Sequence, residues 1–348
     1  MHVFAHAVPP RLAAGGEHAV EVHVSGGTPY PLFAAPPHDL AAISRVLDVE
    51  RTSGLDVLHA HYALPHAVSA IVASEATADE GRRLPVVTTL HGTDITIIGS
   101  DPAYLPTTRF ALARSAAVTC VSRSLAERTE QLLLDGAPLP SGDLRVIPNF
   151  VDTLAFHPAA SDAPGGPPLA IHVSNLRPVK RVPQLLRAFA LATAPGSGAE
   201  SARLHVIGDG PDLPAVRALV DELGLSARVT LLPPQAQVAP HLAAADLYVQ
   251  ASREEAFGLS ALEAMSCGLP VLSTRVGGVP EVVGHGSTGL LVDLGDETGF
   301  ASSLRSLLVD HDTRRRMGTE ARRQVEHKFA REAIVDRYEA LYEGVRKA

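Results

Sequence analysis

The chain has 348 residues, of which 46% are hydrophobic and 20% are charged, so it can bury a full core and is long enough for about two domains. Its formal net charge of -8 excludes the basic surface that binds nucleic-acid phosphates non-specifically. The apolar stretches are interrupted well before the ~18 residues that a membrane span needs, and the first residues have no signal-peptide pattern. We therefore expect a cytoplasmic protein with no nucleic-acid partner and no membrane span.

Short apolar runs of strand length alternate with longer segments of helical period, which predicts an α/β fold in which helices cover parallel sheets. The predicted strands of the first half are HVFAHA, VEVHV, LDVLHAH, LPVVTTL, AAVTCV and LRVIP. Those of the second half are PLAIHVS, ARLHVIG, RVTLLP, DLYVQ, PVLST and GLLVD. Predicted helices include HDLAAISRVLDVERT, VPQLLRAFALA and LSALEAMSC. Each half is predicted to form a doubly wound sheet.

A change in composition marks the boundary between the two halves. The run HPAASDAPGGPP is rich in Pro, Gly and Ala and has no period, which is typical of a linker. We predict a first domain over 1–155, a linker over 156–168 and a second domain over 169–325. A charged helix over 326–348 follows, and whether it packs back on the first domain is left open.

Two cysteines and one basic cluster are predicted to have structural roles. Cys120 and Cys267 lie in small apolar contexts and in no zinc-ligand spacing, which is typical of buried thiols. Acidic residues closely follow Arg314, Arg315 and Arg316, which favours a solvated helix face over a site for polyanions.

The strongest motif is residues 252–283, with the sequence SREEAFGLSALEAMSCGLPVLSTRVGGVPEVV. Glu255 and Glu263 flank Gly258, where a predicted strand and loop give way to a helix. Unpaired amides at the start of a helix can bind a phosphate, and glycine lets the anion approach the backbone. Two carboxylates beside it can accept hydrogen bonds from sugar hydroxyls. The motif therefore predicts a site for a ligand that carries both a phosphate and sugar hydroxyls. The two glutamates alone also fit a capped surface helix.

A second motif is SNLRPVKRVPQ, residues 174–184, which follows the predicted strand PLAIHV. It places Arg177, Lys180 and Arg181 near the carboxyl end of that strand, where open α/β sheets bind their ligands. Cations in this place can neutralise a diphosphate leaving group. A solvated basic loop is the alternative interpretation.

Residues 252–283 resemble the Glu-x7-Glu region of the retaining glycosyltransferases of family 4 and the stretch that follows it in that family. The resemblance implies a glycosyltransferase B-type fold, in which two Rossmann-like domains face a cleft. It also implies that Glu255 contacts the donor sugar, that Glu263 contacts the ribose of a nucleotide, and that Lys180 binds the diphosphate. Gly277 and Gly278 would turn the chain nearby.

The other donor-binding residues that the resemblance implies are Arg177, Arg181, Phe257, Gly258 and Leu259. Many relatives have an arginine where this chain has Asn175, which is a departure from the family pattern.

Motifs of the first domain, together with RPVKR of the second, resemble those of members with one particular activity within the family. The segments HYALPHA, LHGTDIT, GSDP, TRF, PNFVD and RPVKR run in the same order as in members that transfer N-acetylglucosamine from UDP-N-acetylglucosamine to L-malate, the first step of bacillithiol biosynthesis. This implies that His91 contacts the donor sugar and is catalytic together with Lys180 and Glu255. The acceptor-binding residues that it implies are Tyr62, Thr93, Arg109 and Asn149.

The chemistry of malate agrees with this set of acceptor residues. Malate is a dianion, and the planar guanidinium of Arg109 suits a bidentate bond to a carboxylate, with the hydroxyls of Tyr62 and Thr93 as further donors. Taken alone, Arg109 also fits an ion pair on a helix surface, and Asn149 also fits a turn residue.

The histidines of HAHYALPH invite a metal interpretation, because His59 and His61 share one face of a predicted strand. No third ligand follows at a known spacing, so packing or contact with substrate is favoured and no metal is predicted. The resemblance likewise implies no cofactor apart from the nucleotide-sugar donor.

The resemblance further implies a strand, a Gly-rich loop and a helix before the first strand of this chain. Neither Gly15-Gly16 nor Gly26-Gly27 matches such a loop, since these pairs flank the strand VEVHV. We therefore expect the first strand-helix unit of the first domain to be missing. The chain as written would then be unstable or inactive, and the functional protein would begin upstream.

The sequence thus predicts a retaining glycosyltransferase in which the leaving diphosphate helps to deprotonate the incoming hydroxyl, a mechanism implied by the resemblance. Three alternatives stay open: another family 4 glycosyltransferase, an enzyme similar to UDP-N-acetylglucosamine 2-epimerases, and a truncated, inactive nucleotide-sugar-binding protein. Assembly into a homo-oligomer is also left open.

Overall fold

The computed structural model describes residues 1–8, 20–26, 38–79, 81–99, 101–134, 139, 142, 144–159 and 166–347. The chain divides into two compact units. The first unit contains Met1–Ile147 together with Asp336–Ala348, and the second contains Pro148–Val335. The N-terminal part of the first unit thus ends before residue 155, the predicted end of the first domain. Residues 160–165 of the predicted linker lie outside the described residues.

The first unit contains six described strands. They are β1 (His2–Ala5), β2 (Glu21–Val24), β3 (Leu58–His61), β4 (Val86–Leu90), β5 (Ala117–Cys120) and β6 (Arg145–Val146). Its described helices before the second unit are α1 (His38–Ser53), α2 (Val68–Asp79), α3 (Leu105–Arg114) and α4 (Arg123–Thr129). Three short turns accompany them in the described part of this unit, at Ala63–Ala67, Asp94–Ile98 and Glu130–Leu134. The first of these contains Leu64 in an extended conformation.

All strands of the first unit pair in parallel, but among the described residues they form two separate sheets. β1 pairs with β2, and β3, β4, β5 and β6 form a four-stranded sheet in that order. This differs from the single doubly wound sheet predicted for the first half, because the two sets share no backbone ladder. The core on the four-stranded sheet contains Leu58, Ile71, Leu84 and Val86, against which Phe4 of β1 also packs.

The described residues of the second unit contain one six-stranded parallel sheet with the strand order β12-β11-β10-β7-β8-β9. The strands are β7 (Leu169–Val173), β8 (Arg203–Ile207), β9 (Val229–Leu232), β10 (Leu247–Gln250), β11 (Val271–Thr274) and β12 (Gly289–Val292). From β7 the chain runs outward through β8 to β9, and from β10 it runs outward in the opposite direction. The strand order therefore reverses between β7 and β10, which is where an open α/β sheet leaves a crevice at the carboxyl ends of its strands.

Helices cover this sheet. Their apolar residues recur at helical spacing and so form one apolar face on each helix that packs against the strands. They are α5 (Val182–Ala192), α6 (Leu213–Glu222), α7 (Ala239–Ala243), α8 (Leu259–Ser266), α9 (Val279–Val282), α10 (Glu297–Val309) and α11 (His311–Lys328). A last helix, α12 (Arg331–Lys347), begins in the second unit and ends in the first. On α5, for example, Val182, Leu185, Leu186 and Phe189 are all buried.

The structure confirms one of the predicted structural roles and corrects the other. Cys120 and Cys267 are both buried thiols. Arg315 and Arg316 are exposed as predicted, but Arg314 is buried, since its guanidinium donates to the carbonyls of Leu307 and Leu308 at the end of α10, at 2.6 and 2.8 Å. A cation that caps the last carbonyls of a helix is stabilising. Among the described helices, none is both long enough and apolar enough to cross a membrane.

Candidate functional site

A cavity of about 130 Å3 lies in the second unit where the carboxyl ends of β7 and β10 meet the start of α8. We call it the strand-end cavity. Four of the predicted donor-binding residues line it, namely Lys180, Glu255, Gly258 and Leu259. The structure therefore brings the two sequence motifs of the second half together at one place.

Lys180 and Glu255 form an ion pair at this cavity. Lys180 Nζ lies 2.6 Å from Glu255 Oε1, which also accepts a hydrogen bond from the Ser252 hydroxyl at 2.8 Å. The two charged side chains are only 22% and 13% exposed. Their mutual attraction is therefore less screened by solvent than that of a surface pair. The pair therefore places a cation suited to a phosphate beside a carboxylate suited to hydroxyl groups.

Glycines position the loop that carries Glu255. Gly277 has a φ of 51°, and a Cβ built there would collide with the Glu255 carbonyl oxygen. That same oxygen accepts a hydrogen bond from the amide of Gly278 at 3.0 Å. Gly258, with a φ of 96°, is the N-terminal cap of α8. Only glycine adopts such backbone angles readily, so these residues fix where the loop ends and the helix begins.

Sequence reasoning missed His172, which lines the same cavity from β7 and is buried. Its Nδ1 lies 2.8 Å from the Val249 carbonyl, and its Nε2 lies 2.9 Å from Ser174 Oγ. A carbonyl can only accept, so Nδ1 carries the proton and Nε2 accepts from the Ser174 hydroxyl. Burial, reinforced by nearby Lys180, lowers the pKa of His172 to about 4. The neutral imidazole thus fixes the orientation of Ser174 at the cavity wall.

A second feature that was missed is the loop after β8. A Cβ at Gly208 would collide with the carbonyl oxygen of Ser174, and one at Gly210 with that of Asn175. The two glycines therefore let this loop pack directly against the backbone that leads to Lys180. The signal was present in the sequence as Gly-Asp-Gly at the end of the predicted strand ARLHVIG.

The other predicted donor residues of the second unit lie outside the lining of the strand-end cavity. Glu263 is 4% exposed within α8. The ring of Phe257 packs edge-on against Phe329, with ring centroids 5.9 Å apart. Arg181 lies 3.4 Å from Glu297 and is the N-cap of α5. Arg177 is half-buried at the start of the turn that carries Lys180.

The first unit brings His61, Tyr62 and His91 together, where β3 and β4 end at the same edge of their sheet. His61 Nδ1 lies 2.9 Å from His91 Nε2, and the Tyr62 and His91 rings are 4.9 Å apart. Tyr62 has a φ of 78°, which is unusual for a non-glycine residue. Its amide donates to the Thr89 carbonyl at 2.9 Å, which holds the backbone in this conformation.

Asp94 is the residue that organises this edge, and sequence reasoning did not single it out. Its carboxylate is buried, being 1% exposed. Oδ1 accepts from the amides of His91 and Gly92 at 3.1 and 2.9 Å, and Oδ2 accepts from the amide of Ala63 at 3.0 Å. Because it connects the loop after β4 to the loop after β3, Asp94 fixes the backbone beside both His91 and Tyr62.

The predicted acceptor residues occupy different places. Thr93 is exposed two residues after His91, at the start of the turn Asp94–Ile98. Arg109 lies on α3, which packs against the turn Ala63–Ala67, and its Nε donates to the Leu133 carbonyl at 2.6 Å. Asn149 belongs to the second unit. The first unit therefore holds three of the four predicted acceptor residues.

His59 belongs to a hydrogen-bonded network beneath this edge. Its Nε2 lies 2.7 Å from Thr89 Oγ1, and its Nδ1 lies 2.6 Å from the Tyr342 hydroxyl of α12. Burial, together with the neighbouring imidazoles His61 and His91, lowers the pKa of His59 to about 3. Burial also lowers the pKa of His91 to about 4. Both imidazoles are therefore neutral at pH 7.

These pKa values predict a loss of stability in mild acid. Between pH 6.5 and about 4 the unfolded chain binds protons that His59, His91 and His172 do not bind when folded, so the free energy of unfolding falls as pH falls. Each group contributes at most about 2 kcal/mol between pH 7 and pH 5. Urea unfolding at both pH values measures the effect. We expect a smaller loss in His59→Gln and an unchanged loss in the exposed control His311→Ala; an equal loss in all three proteins would contradict the assignment.

Comparison with known proteins extends these observations. The model of Glycosyltransferase Family 4 matches residues 1–154, and the model of Glycosyl transferases group 1 matches residues 155–324. The chain is 41% identical over 323 residues to N-acetyl-alpha-D-glucosaminyl L-malate synthase from Bacillus anthracis, an alignment that covers 91% of this chain and 82% of the relative. It is 34% identical over 299 residues to D-inositol 3-phosphate glycosyltransferase from Nocardia farcinica, covering 76% of this chain and 61% of that protein.

Solved structures show a similar fold. Sucrose-phosphate synthase from Thermosynechococcus elongatus superposes with a TM-score of 0.75 at 24% identity, over 94% of this chain and 83% of that chain. The likeness confirms the predicted α/β fold with two domains of glycosyltransferase B type. Both family models, the extent of the identity and the fold agree: the chain is a glycosyltransferase and belongs to glycosyltransferase family 4.

Proposed function

We propose that this glycosyltransferase transfers N-acetylglucosamine from UDP-N-acetylglucosamine to the hydroxyl of L-malate, with retention at the anomeric carbon, as in the first step of bacillithiol biosynthesis. The observation that carries the proposal is the 41% identity to the N-acetyl-alpha-D-glucosaminyl L-malate synthase, which extends over both units. The arrangement of charged groups supports it, because an acidic protein that binds two anionic substrates needs positive charge at defined positions.

In this proposal the second unit holds most of the donor. Lys180 at the strand-end cavity neutralises the diphosphate, and the amides of Gly258 and Leu259 at the start of α8 bind it further. Glu255 accepts hydrogen bonds from the hydroxyls of the sugar. Arg177 and Arg181 add positive charge near the same loop. Glu263 and Phe257 are buried, so the ribose contact proposed for Glu263 requires its carboxylate to reach the ligand from within α8.

The first unit supplies three of the four acceptor residues of the proposal. Arg109 binds a malate carboxylate, with Tyr62 and Thr93 as hydroxyl donors, and Asn149 of the second unit adds an amide. His91 contacts the donor sugar. Its low pKa keeps the imidazole neutral at pH 7, so it can donate or accept a hydrogen bond without adding positive charge. His61 and Asp94 hold its ring and its backbone.

The proposed reaction needs no protein nucleophile. The bond between the anomeric carbon and the diphosphate oxygen breaks, and the malate hydroxyl oxygen bonds to the same face of that carbon. The hydroxyl proton passes to the leaving diphosphate. Lys180 stabilises the negative charge that develops on this group, and stabilisation that is stronger in the transition state than in the ground state accelerates the step.

The test is to incubate the protein with UDP-N-acetylglucosamine and either L-malate, inositol 3-phosphate or no acceptor, and to measure UDP and the glycosylated product. Release of UDP and formation of a malate glycoside only with malate support the proposal. Glycosylation of inositol 3-phosphate instead would assign the activity named for the second relative. An epimerised sugar would indicate an epimerase, and binding of the donor without turnover would indicate an inactive binding protein.

Arg109 provides a specific prediction for the acceptor site. We expect Arg109→Ala to raise the KM for malate at least 10-fold, because a bidentate charge-assisted bond contributes about 1.5–3 kcal/mol. UDP binding measured by calorimetry should stay near that of the wild type. Arg114→Ala, on the same helix and exposed, is the matched control and should leave the KM unchanged. Loss of UDP binding in a folded Arg109→Ala variant would show that Arg109 does not serve the acceptor.

A further inference from the structure

Three potential metal ligands lie together on the β1–β2 pair, remote in sequence from every motif considered above. In the parallel register His2 lies opposite Glu21, and Phe4 lies opposite His23. Because side chains alternate along a strand, residues two apart share a face, and this places His2, Glu21 and His23 on the same side of the pair. In the part of the chain that the structure describes, they are the one group of three His, Cys, Asp or Glu residues whose ligand atoms all lie within 4.8 Å of one another.

The separations within this group match a metal site. His2 Nδ1 lies 2.9 Å from His23 Nε2, and Glu21 carboxylate oxygens lie 3.5 Å from the first nitrogen and 3.7 Å from the second. Ligand atoms bound to Zn2+ at ~2.0–2.1 Å in a tetrahedron are about 3.3 Å apart. The three ligands can therefore reach one ion with small side-chain adjustments and without a change in backbone register.

The surrounding residues restrict the His23 side chain and leave that of Glu21 accessible to solvent. His23 is buried, and its ring stacks on Phe4 with centroids 4.9 Å apart, which limits its rotation. The Glu21 side chain is 66% exposed, so an ion can enter from solvent. Two imidazoles and one carboxylate are a ligand set that suits Zn2+ and leaves its fourth position for water.

We propose that His2, Glu21 and His23 bind one Zn2+ ion that fastens β1 to β2. A two-stranded sheet has few hydrogen bonds of its own, and a metal that binds only the folded form adds its binding free energy to stability. The sequence predicts no metal here, because the spacing of neighbouring histidines does not reveal ligands that come from two separate strands. The site is independent of the donor and acceptor residues.

The experiment is a titration of the metal-free full chain with Zn2+ in competition with a chromophoric chelator. We expect one equivalent to bind with micromolar or higher affinity, and at least a 10-fold loss of affinity in His23→Ala and in Glu21→Gln. His6→Ala, which removes a histidine just beyond β1, is the matched control and should bind as the wild type does. Thermal unfolding followed with and without Zn2+ should show a rise in the unfolding midpoint in the wild type and in His6→Ala only.

A spectroscopic measurement covers the possibility that a variant fails to fold. Co2+ substituted into the wild-type chain should give the visible absorption of a four- or five-coordinate ion with nitrogen and oxygen ligands. Weak binding equal in the wild type and in folded His23→Ala, or only the spectrum of hydrated Co2+, would overturn the proposal. Neither readout depends on glycosyl transfer.

Discussion

Replacement of Lys180 by alanine is expected to lower kcat about 100- to 1000-fold, the usual effect of removing one preorganised group that stabilises developing negative charge. The Lys180 ammonium is held at the strand-end cavity by Glu255 at 2.6 Å, so its position is fixed by the protein. In the proposed reaction this charge acts on the leaving diphosphate, so the KM for malate should change much less than kcat. Steady-state kinetics with both substrates varied give the two quantities.

One further measurement and one control variant separate catalysis from stability. Lys180→Ala leaves the partly buried Glu255 carboxylate without its cation, so unfolding must be measured on the same preparation. Arg187→Ala removes an exposed cation from α5, the helix that follows the Lys180 turn, and should leave kcat unchanged. A folded Lys180→Ala protein with the kcat of the wild type would contradict the role proposed for Lys180.

The second large effect is expected for Asp94→Asn, which keeps the size of the side chain but replaces one acceptor oxygen by a donor group. At least one of the three backbone amides that Asp94 binds would then face another donor. Leaving a buried donor unsatisfied costs about 1–3 kcal/mol. Displacing His91 by about 1 Å can lower kcat about 100-fold. We therefore expect a lower urea midpoint and a kcat reduced by about two orders of magnitude, with UDP binding retained.

Asp101→Asn is the matched control for this experiment. Asp101 is exposed and accepts a hydrogen bond from the amide of Ala103 at 2.8 Å, so its replacement should change the urea midpoint very little. Asp94→Asn with the urea midpoint and kcat of Asp101→Asn would show that the buried carboxylate does not organise the edge beside His91.

The fold was predictable because parallel strands buried on both faces are encoded as short apolar runs. Each of the twelve predicted strands contains one observed strand, and Glu255 and Lys180 meet because each follows a strand that ends at the same edge. The predicted start of a helix near Gly258 is also observed. These features depend on the local pattern of apolar residues and on the rule that the carboxyl ends of parallel strands meet at one edge of a sheet.

The supporting residues could not be predicted because their partners are backbone groups whose positions only the fold determines. Asp94 binds the amide of Ala63, thirty-one residues earlier, and no local pattern records such a contact. Arg314 is part of a basic run that predicts a solvated surface, and only the position of the end of α10 shows that it is a buried cap. His172 resembles any polar residue inside an apolar strand until the Val249 carbonyl is located beside it.

The hydrogen bond between His59 and Tyr342 has a consequence for the order in which the chain folds. The two residues are 283 positions apart, yet both belong to the first unit. During synthesis from the N-terminus, the whole second unit leaves the ribosome before residues 336–347 become available. Contacts between such distant positions form late, because closing the long intervening segment costs entropy. Folding of the first unit therefore starts first and finishes last. A nascent chain that still lacks α12 has His59 without its Tyr342 partner.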